Sequence, residues 1–270
     1  MDDRPIGVFD SGLGGLTTVR ELCRLLPEED IVYFGDTGRV PYGSRSRETI
    51  VKYARQDVAF LRTFDLKAIV IACGTVSTTA LDVLAAENPI PVLGVVAPAA
   101  RAAARATRSG SIGLIGTQAS IRSGAYERLI RAENPAARVL AQPCPLFVPL
   151  VENGRFRPGD VVIETVAAEY LAPLKQAGVD TLVLGCTHYP LLEKVIGAYM
   201  GPEVRLINSG AEGARAAADC LRERDALAGP GRGSCRCFVS DRQEDFSRLA
   251  STFLGWDVAQ AVEQVDISQY

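Results

Sequence analysis

Cys73 and Cys186 are the residues best suited to act together. Each ends an apolar run, Ile69-Val70-Ile71-Ala72-Cys73 and Leu182-Val183-Leu184-Gly185-Cys186, and a threonine follows each within two residues. A thiol has a reference pKa of about 8.5, and a helix N-terminus can bring it toward neutrality. Such a group takes a proton as thiolate and returns one as thiol. Two thiols at equivalent ends of two similar units, facing across one pocket, suit removal of a proton from one face of a carbon and its return to the other. A single cysteine at a strand end is ordinarily a small buried hydrophobe; the pairing is what points to chemistry. His188, the only histidine, follows Cys186 by two residues and can hold or polarise that thiol. Asp10 can do the same beside Cys73. Unlike neighbours separate the two pKa values, as an acid/base pair requires. The alternatives are a capping histidine or a Cys–His hydrolase, and the hydrolase leaves the second cysteine strand unexplained.

Two further segments carry polar groups at strand ends. Asp10-Ser11-Gly12-Leu13-Gly14-Gly15 opens a helix after the first strand, where backbone amides favour an anion. Its G-x-G-G spacing is not the dinucleotide fingerprint G-x-G-x-x-G, and Asp10 would repel phosphate. A small polar ligand fits better, its ammonium on Asp10 and its carboxylate on nearby amides and hydroxyls; glycines that merely make a turn are the plainer reading. After the second strand, Val40-Pro41-Tyr42-Gly43-Ser44 lies where open parallel sheets bind ligands. Tyr42 and Gly43 are therefore expected to offer a ring, a hydroxyl and an amide.

The elements that must position these groups alternate in the βαβ manner. The predicted strands are Ile6–Phe9, Ile31–Phe34, Ala68–Ala72, Val92–Val95, Ile112–Ile115, Val139–Ala141, Leu182–Leu184, Val204–Ile207 and Cys237–Ser240. Their continuous apolar runs imply burial on both faces. Predicted helices cover Leu16–Leu26, Ser46–Phe64, Thr78–Asn88, Pro98–Thr107, Ser120–Glu133, Val161–Ala177, Pro190–Met200 and Gly210–Arg224. Gly178 closes one of them after Lys175. Ile6-Gly7-Val8-Phe9-Asp10-Ser11 echoes Ile112-Gly113-Leu114-Ile115-Gly116-Thr117, and each precedes a cysteine strand by a similar interval. The expected fold is α/β, with two similarly built, doubly wound parallel-sheet halves. The first comprises residues 1–96 plus 209–270 and the second residues 97–208, with crossings at Val95–Pro98 and near Asn208–Gly210.

Composition excludes other classes. A net charge of −3 gives no footprint for nucleic acid, and Arg101, Arg105 and Arg108 read as a solvated helix stripe. The absence of a leader-like or membrane-length apolar segment points to a cytoplasmic protein with no membrane partner. Seven cysteines without framework spacing are expected to be reduced. Cys235 and Cys237 lack the further ligands that a zinc site needs, so no metal is expected.

The whole motif series resembles that of the glutamate racemase family. Asp10-Ser11-Gly-x-Gly-Gly, Pro41-Tyr42-Gly43, Ala72-Cys73-x-Thr75, Val148-Pro149-Leu150-Val151-Glu152 and Gly185-Cys186-Thr187-His188-Tyr189-Pro190-Leu191 stand in the family's order and spacing. The resemblance implies two α/β domains with pseudo-twofold symmetry and an active site between them. It implies cofactor-independent interconversion of L- and D-glutamate, supplying peptidoglycan synthesis. Cys73 and Cys186 would be the bases, Asp10 and His188 their assistants, and Ser11, Tyr42, Gly43, Gly74, Thr75 and Thr187 substrate contacts, with Glu152 nearby. Small-molecule substrate is the partner implied, and a homodimer is one assembly allowed. One residue departs from the family pattern: Gly74 stands where an asparagine is usual. It keeps the amide but loses a carboxamide whose hydrogen bond to a charged group is worth about 1.5–3 kcal/mol. That leaves room for a racemase of another acidic amino acid such as aspartate. A non-catalytic binding protein on the same fold would need neither thiol.

Overall fold

The computed structural model describes residues 1–256 and 262–270. In chain order the elements are β1 (Ile6–Asp10), α1 (Leu16–Leu25), β2 (Ile31–Gly35), α2 (Arg47–Leu61), β3 (Ala68–Ile71), α3 (Gly74–Thr79), α4 (Leu81–Glu87), β4 (Val92–Gly94) and α5 (Val96–Ala106). They continue with β5 (Ser111–Gly116), α6 (Gln118–Arg122), α7 (Ala125–Glu133), β6 (Arg138–Pro143), α8 (Phe147–Glu152), α9 (Val161–Gln176), β7 (Thr181–Leu184), α10 (Glu193–Met200) and β8 (Arg205–Asn208). The last are α11 (Ser209–Glu223), β9 (Cys235–Val239), α12 (Gln243–Leu254) and β10 (Val262–Gln264).

Two all-parallel sheets result, in the orders β10-β9-β2-β1-β3-β4 and β6-β5-β7-β8. The order β2-β1-β3-β4 recurs as β6-β5-β7-β8, so β5 is the counterpart of β1 and β7 the counterpart of β3. Each central pair sits where the winding direction reverses, and ligands bind outside the carboxyl ends of strands at such a point. Cys73 and Cys186 follow β3 and β7, and Ser11 and Thr117 follow β1 and β5.

Every residue of β1, β2, β3 and β7 is buried, as continuous Val, Ile, Leu and Phe runs covered by helices on both faces require. The edge strand β6 is largely open to solvent. Helix α1 sinks Leu16, Val19 and Leu22 into the core, each worth about 1.5–3 kcal/mol of transfer free energy. Ser46, Asp160 and Asn208 accept backbone amides at the starts of α2, α9 and α11, and Gly178 at φ 67° follows α9. The chain passes between the sheets at α5 and returns at α11, and these two helices pack together. Among the described residues no helix is long and apolar enough to cross a membrane.

Two predicted helices are split. The 78–88 prediction becomes α3, which starts directly after Cys73, and α4. The 120–133 prediction breaks at Gly124, whose φ of 62° cannot continue a right-handed helix. Helices α8 and α12 and strand β10 were not predicted.

Candidate active site

The carboxyl ends of the two sheets share a cavity of about 380 Å³, within the usual range for small-molecule sites. The first half contributes Ser11, Gly12, residues 40–44 and Cys73-Gly74-Thr75. The second contributes Thr117, Gln118, Cys144, Val148, Pro149, Glu152 and Gly185-Cys186-Thr187-His188. The two thiols thus reach one space, one from each half.

Cys73 occupies the position just before α3. Its thiol donates toward Ser11 Oγ at 3.5 Å. Burial and then the Asp10 charge push its pKa up to about 12, against the hydrogen bonds of Ser11 and the Val76 amide. Cys73 is therefore a protonated thiol at neutral pH. Asp10 is buried, with Oδ2 accepting the Gly12 amide at 3.2 Å and Oδ1 without a partner among the described residues. Burial raises its pKa, opposed by the His188 charge and by the Gly15 and Gly12 amides.

Cys186 has a different environment. Its Sγ lies 3.9 Å from His188 Nδ1, which also meets Thr187 Oγ1 at 3.4 Å. His188 Nε2 meets Glu152 Oε1 at 2.9 Å. Burial alone lowers the imidazole pKa, but the partners Cys186 and Glu152 outweigh it and hold it at about 10. A protonated ring donates from both nitrogens, so Glu152, His188 and Cys186 form a directed chain. The ring's edge-on contact with Phe253, centroids 5.5 Å apart, limits its rotation.

All the expected site residues line this cavity except Asp10, which is buried. The Asp10 carboxylate is buried and turned to the Gly12 amide, and its charge raises the Cys73 pKa. Tyr42 also differs from expectation. It lines the cavity, but its hydroxyl is turned away into hydrogen bonds with Asp36 and Asp57. Gly74 leaves no void where a carboxamide would sit: a Cβ there would stand 2.6 Å from the Gly185 carbonyl oxygen of the other half. Gly14 serves similarly, since its Cβ would collide with Thr187 Oγ1 and His188 Nδ1. The glycine-rich turn is thus partly a seat for the opposite half. Hydrogen bonds close the seam as well, Thr75 Oγ1 to Thr117 Oγ1 at 3.0 Å and Thr17 Oγ1 to the Thr187 carbonyl at 2.9 Å.

Thr117 and Gln118 line the cavity without having been singled out as site residues. The echo of Asp10-Ser11 in Gly116-Thr117 carried that signal, since it makes Thr117 the counterpart of Ser11. Val148 and Pro149 owe their places to the unpredicted α8, which also presents Glu152 to His188.

The family model for Asp/Glu/hydantoin racemases matches residues 9–217. A glutamate racemase of Geobacter metallireducens is 49% identical, the match covering 94% of each chain. The solved glutamate racemase isoform RacE1 of Bacillus anthracis superposes with a TM-score of 0.93 at 38% identity, covering 98% of both chains. The glutamate racemase of Francisella tularensis, solved in complex with D-glutamate, gives 0.92 at 38% identity over 100% of both chains.

Proposed function

The chain belongs to the Asp/Glu/hydantoin racemase family, and from that membership we propose that it interconverts L- and D-glutamate using two thiols and no cofactor. The observation that carries this reading is the meeting of Cys73 and Cys186, from counterpart strands of the two sheets, on one cavity. We take the halves to be residues 1–96 with 209–270, and residues 97–208, with substrate bound between them.

With the substrate Cα between the sulfurs, the base takes its proton and the C–H electron pair moves into the adjoining carboxylate. The opposite thiol then donates a proton to the other face, so one C–H bond breaks and its mirror-image replacement forms. Cys73, held protonated by burial and Asp10, is the acid when the proton leaves from the Cys186 face. The reverse reaction exchanges the roles. His188 stays protonated beside Cys186 as a counter-charge, its ring fixed by Glu152. Hydroxyls of Ser11, Thr75, Thr117 and Thr187 surround the same cavity, and such preorganised donors suit charge that builds on a carboxylate. The D-glutamate made in this way is a peptidoglycan precursor.

Incubation with L-glutamate in D2O tests the proposal. Circular dichroism should decay to zero while deuterium enters Cα. Cys73→Ser and Cys186→Ser should each lower net racemisation by about 10²–10⁴-fold, the usual scale for a general acid or base. Full activity in either variant overturns the two-thiol reading, and turnover of aspartate in place of glutamate overturns the substrate.

A further inference from the structure

Behind the cavity wall formed by residues 40–44 lies a buried polar cluster that the racemisation chemistry does not use. Asp36, at the end of β2, and Asp57, on α2, are both fully shielded from solvent. Asp36 accepts three donors: Arg39 Nε reaches Oδ2 at 2.6 Å, the Tyr42 hydroxyl reaches the same oxygen, and Ser240 Oγ reaches Oδ1 at 2.7 Å. Asp57 accepts Arg39 Nη2 on Oδ1 at 2.8 Å. Its Oδ2 stands 3.1 Å from the Tyr42 phenol oxygen.

A phenol carries one proton, and here two carboxyl oxygens touch it. Once the phenol donates that hydrogen to Asp36, the contact between Asp57 Oδ2 and Tyr42 is oxygen against oxygen unless Asp57 supplies a hydrogen itself. Burial, then Asp57 and Asp36, pushes the Tyr42 pKa far up, so the phenol keeps its proton. Charge gives the same answer. Among the described residues Arg39 is the one cation in this cluster, set 4.2 Å over the Tyr53 ring, and it balances one buried carboxylate but not two.

We propose that Asp57 is a neutral carboxylic acid that donates to Tyr42, and that this proton locks the 40–44 wall of the substrate cavity in place. The relay runs from Asp57 to Tyr42 to Asp36, with Arg39 donating to both carboxyl groups. The groups facing Asp57 are Asp36, Arg39 and Tyr42, with Asp10 acting through charge from β1. Burial and the charges of Asp36 and Asp10 raise its pKa well above the carboxylate range, against Arg39 and Tyr42. Tyr42 is the pivot because its chain neighbours Pro41 and Gly43 line the cavity, and a Cβ on Gly43 would sit 3.1 Å from Thr117 of the other half. Asp57 is thus a positioning residue for substrate binding. Its ionisation, as pH rises through its native value, would set two buried anions against one phenol and loosen the wall.

Asp57→Asn preserves the relay, because its amide donates to Tyr42 while its carbonyl accepts from Arg39. Asp57→Ala removes it. The kinetic arm rests on the proposed racemisation: Asp57→Asn should keep KM within about twofold of the parent and abolish the parent's alkaline rise in KM. Asp57→Ala should raise KM about tenfold at every pH with a smaller change in kcat, the scale of one lost buried hydrogen bond. The spectroscopic arm needs no activity: the infrared difference between parent and Asp57→Asn at neutral pH should contain a protonated carboxyl C=O band. Absence of that band overturns the proposal even if the protein racemises glutamate. A KM in Asp57→Asn as high as in Asp57→Ala overturns the positioning role. The band together with no glutamate turnover would support the proton on Asp57 and refute the substrate assignment alone.

Discussion

Adding a methyl group at Gly74 tests whether the two thiols act across a fixed gap. In the native arrangement a Cβ at this position stands 2.6 Å from the Gly185 carbonyl oxygen, whereas real Cβ contacts are essentially never below 3.0 Å and become ordinary at 3.4 Å. Gly74→Ala must therefore separate these points by about 0.4–0.8 Å. The opposing atom is backbone and not the end of a flexible side chain, so the shift is costly. Gly185 donates to the Ile115 carbonyl at 2.8 Å, and its own Cα leaves no room for a Cβ, which would lie 2.7 Å from that oxygen. The strain is relieved by moving the two strand ends apart, and each end carries one of the proposed catalytic sulfurs next in sequence. A misplacement of about 1 Å can cost 10²-fold in rate, so kcat should fall roughly 10- to 50-fold while KM changes less. The informative assay measures racemisation by circular dichroism alongside deuterium entry at Cα. A widened gap lets one sulfur exchange the proton on its own face more often than inversion is completed, so the ratio of exchange to inversion should rise. Gly74→Asn, the residue usual in the resembled motif, should be no better than alanine in this chain. A Gly74→Ala enzyme with parental kcat and an unchanged exchange ratio would refute the fixed-gap argument.

Two other perturbations address the second thiol's surroundings. Glu152→Gln weakens one of the two interactions that hold His188 at about pH 10, so its pKa should fall by about a unit or more. The single histidine makes this directly readable in imidazole NMR spectra; an unmoved titration would dismiss Glu152 as its partner. Because that pKa is raised, the imidazolium's contribution to stability is complete below about 6.5 and is lost as pH rises through about 10. Gly14→Ala places a methyl against Thr187 and His188 and should lower stability by about 1–3 kcal/mol while moving the histidine resonances. Thermal melting measures the first effect, and parental stability in this variant would contradict the tight seam.

Continuous apolar runs made the buried strands legible, and repetition of a β1-like opening and a cysteine strand made the two halves legible. Strand β10 escaped because two of its three residues are exposed, leaving no alternation to read. Helix α8 escaped because six residues containing Pro149 carry too little periodicity. The thiols, His188, Thr75 and Thr187 were legible because their proposed roles depend on type and position at strand ends. The inward turn of Asp10 and the capture of the Tyr42 hydroxyl were not: the first depends on how the glycine turn aims the Gly12 amide, and the second on a carboxyl group brought in by α2. Asp57, on α2, is fifteen residues from Tyr42 in the chain, and nothing in local spacing announces their contact. Gly74 shows the same limit: sequence registers a missing side chain, and only the opposing Gly185 carbonyl shows that its space is taken.

Strand β2 ends at Gly35, yet its partner on the outer side, β9, begins at Cys235. During synthesis on the ribosome, the β2 edge therefore remains unpaired while roughly 200 residues, including the entire second sheet, are made. At about 5–20 residues per second that interval lasts about 10–40 s, and an open apolar strand edge is a template for wrong pairing. The nascent chain thus carries an open β2 edge from the time β1–β4 are made until β9 emerges. Chaperone demand in the cell should be concentrated in that window, and a truncation before Cys235 should yield insoluble protein even though all of the proposed site residues have already been made.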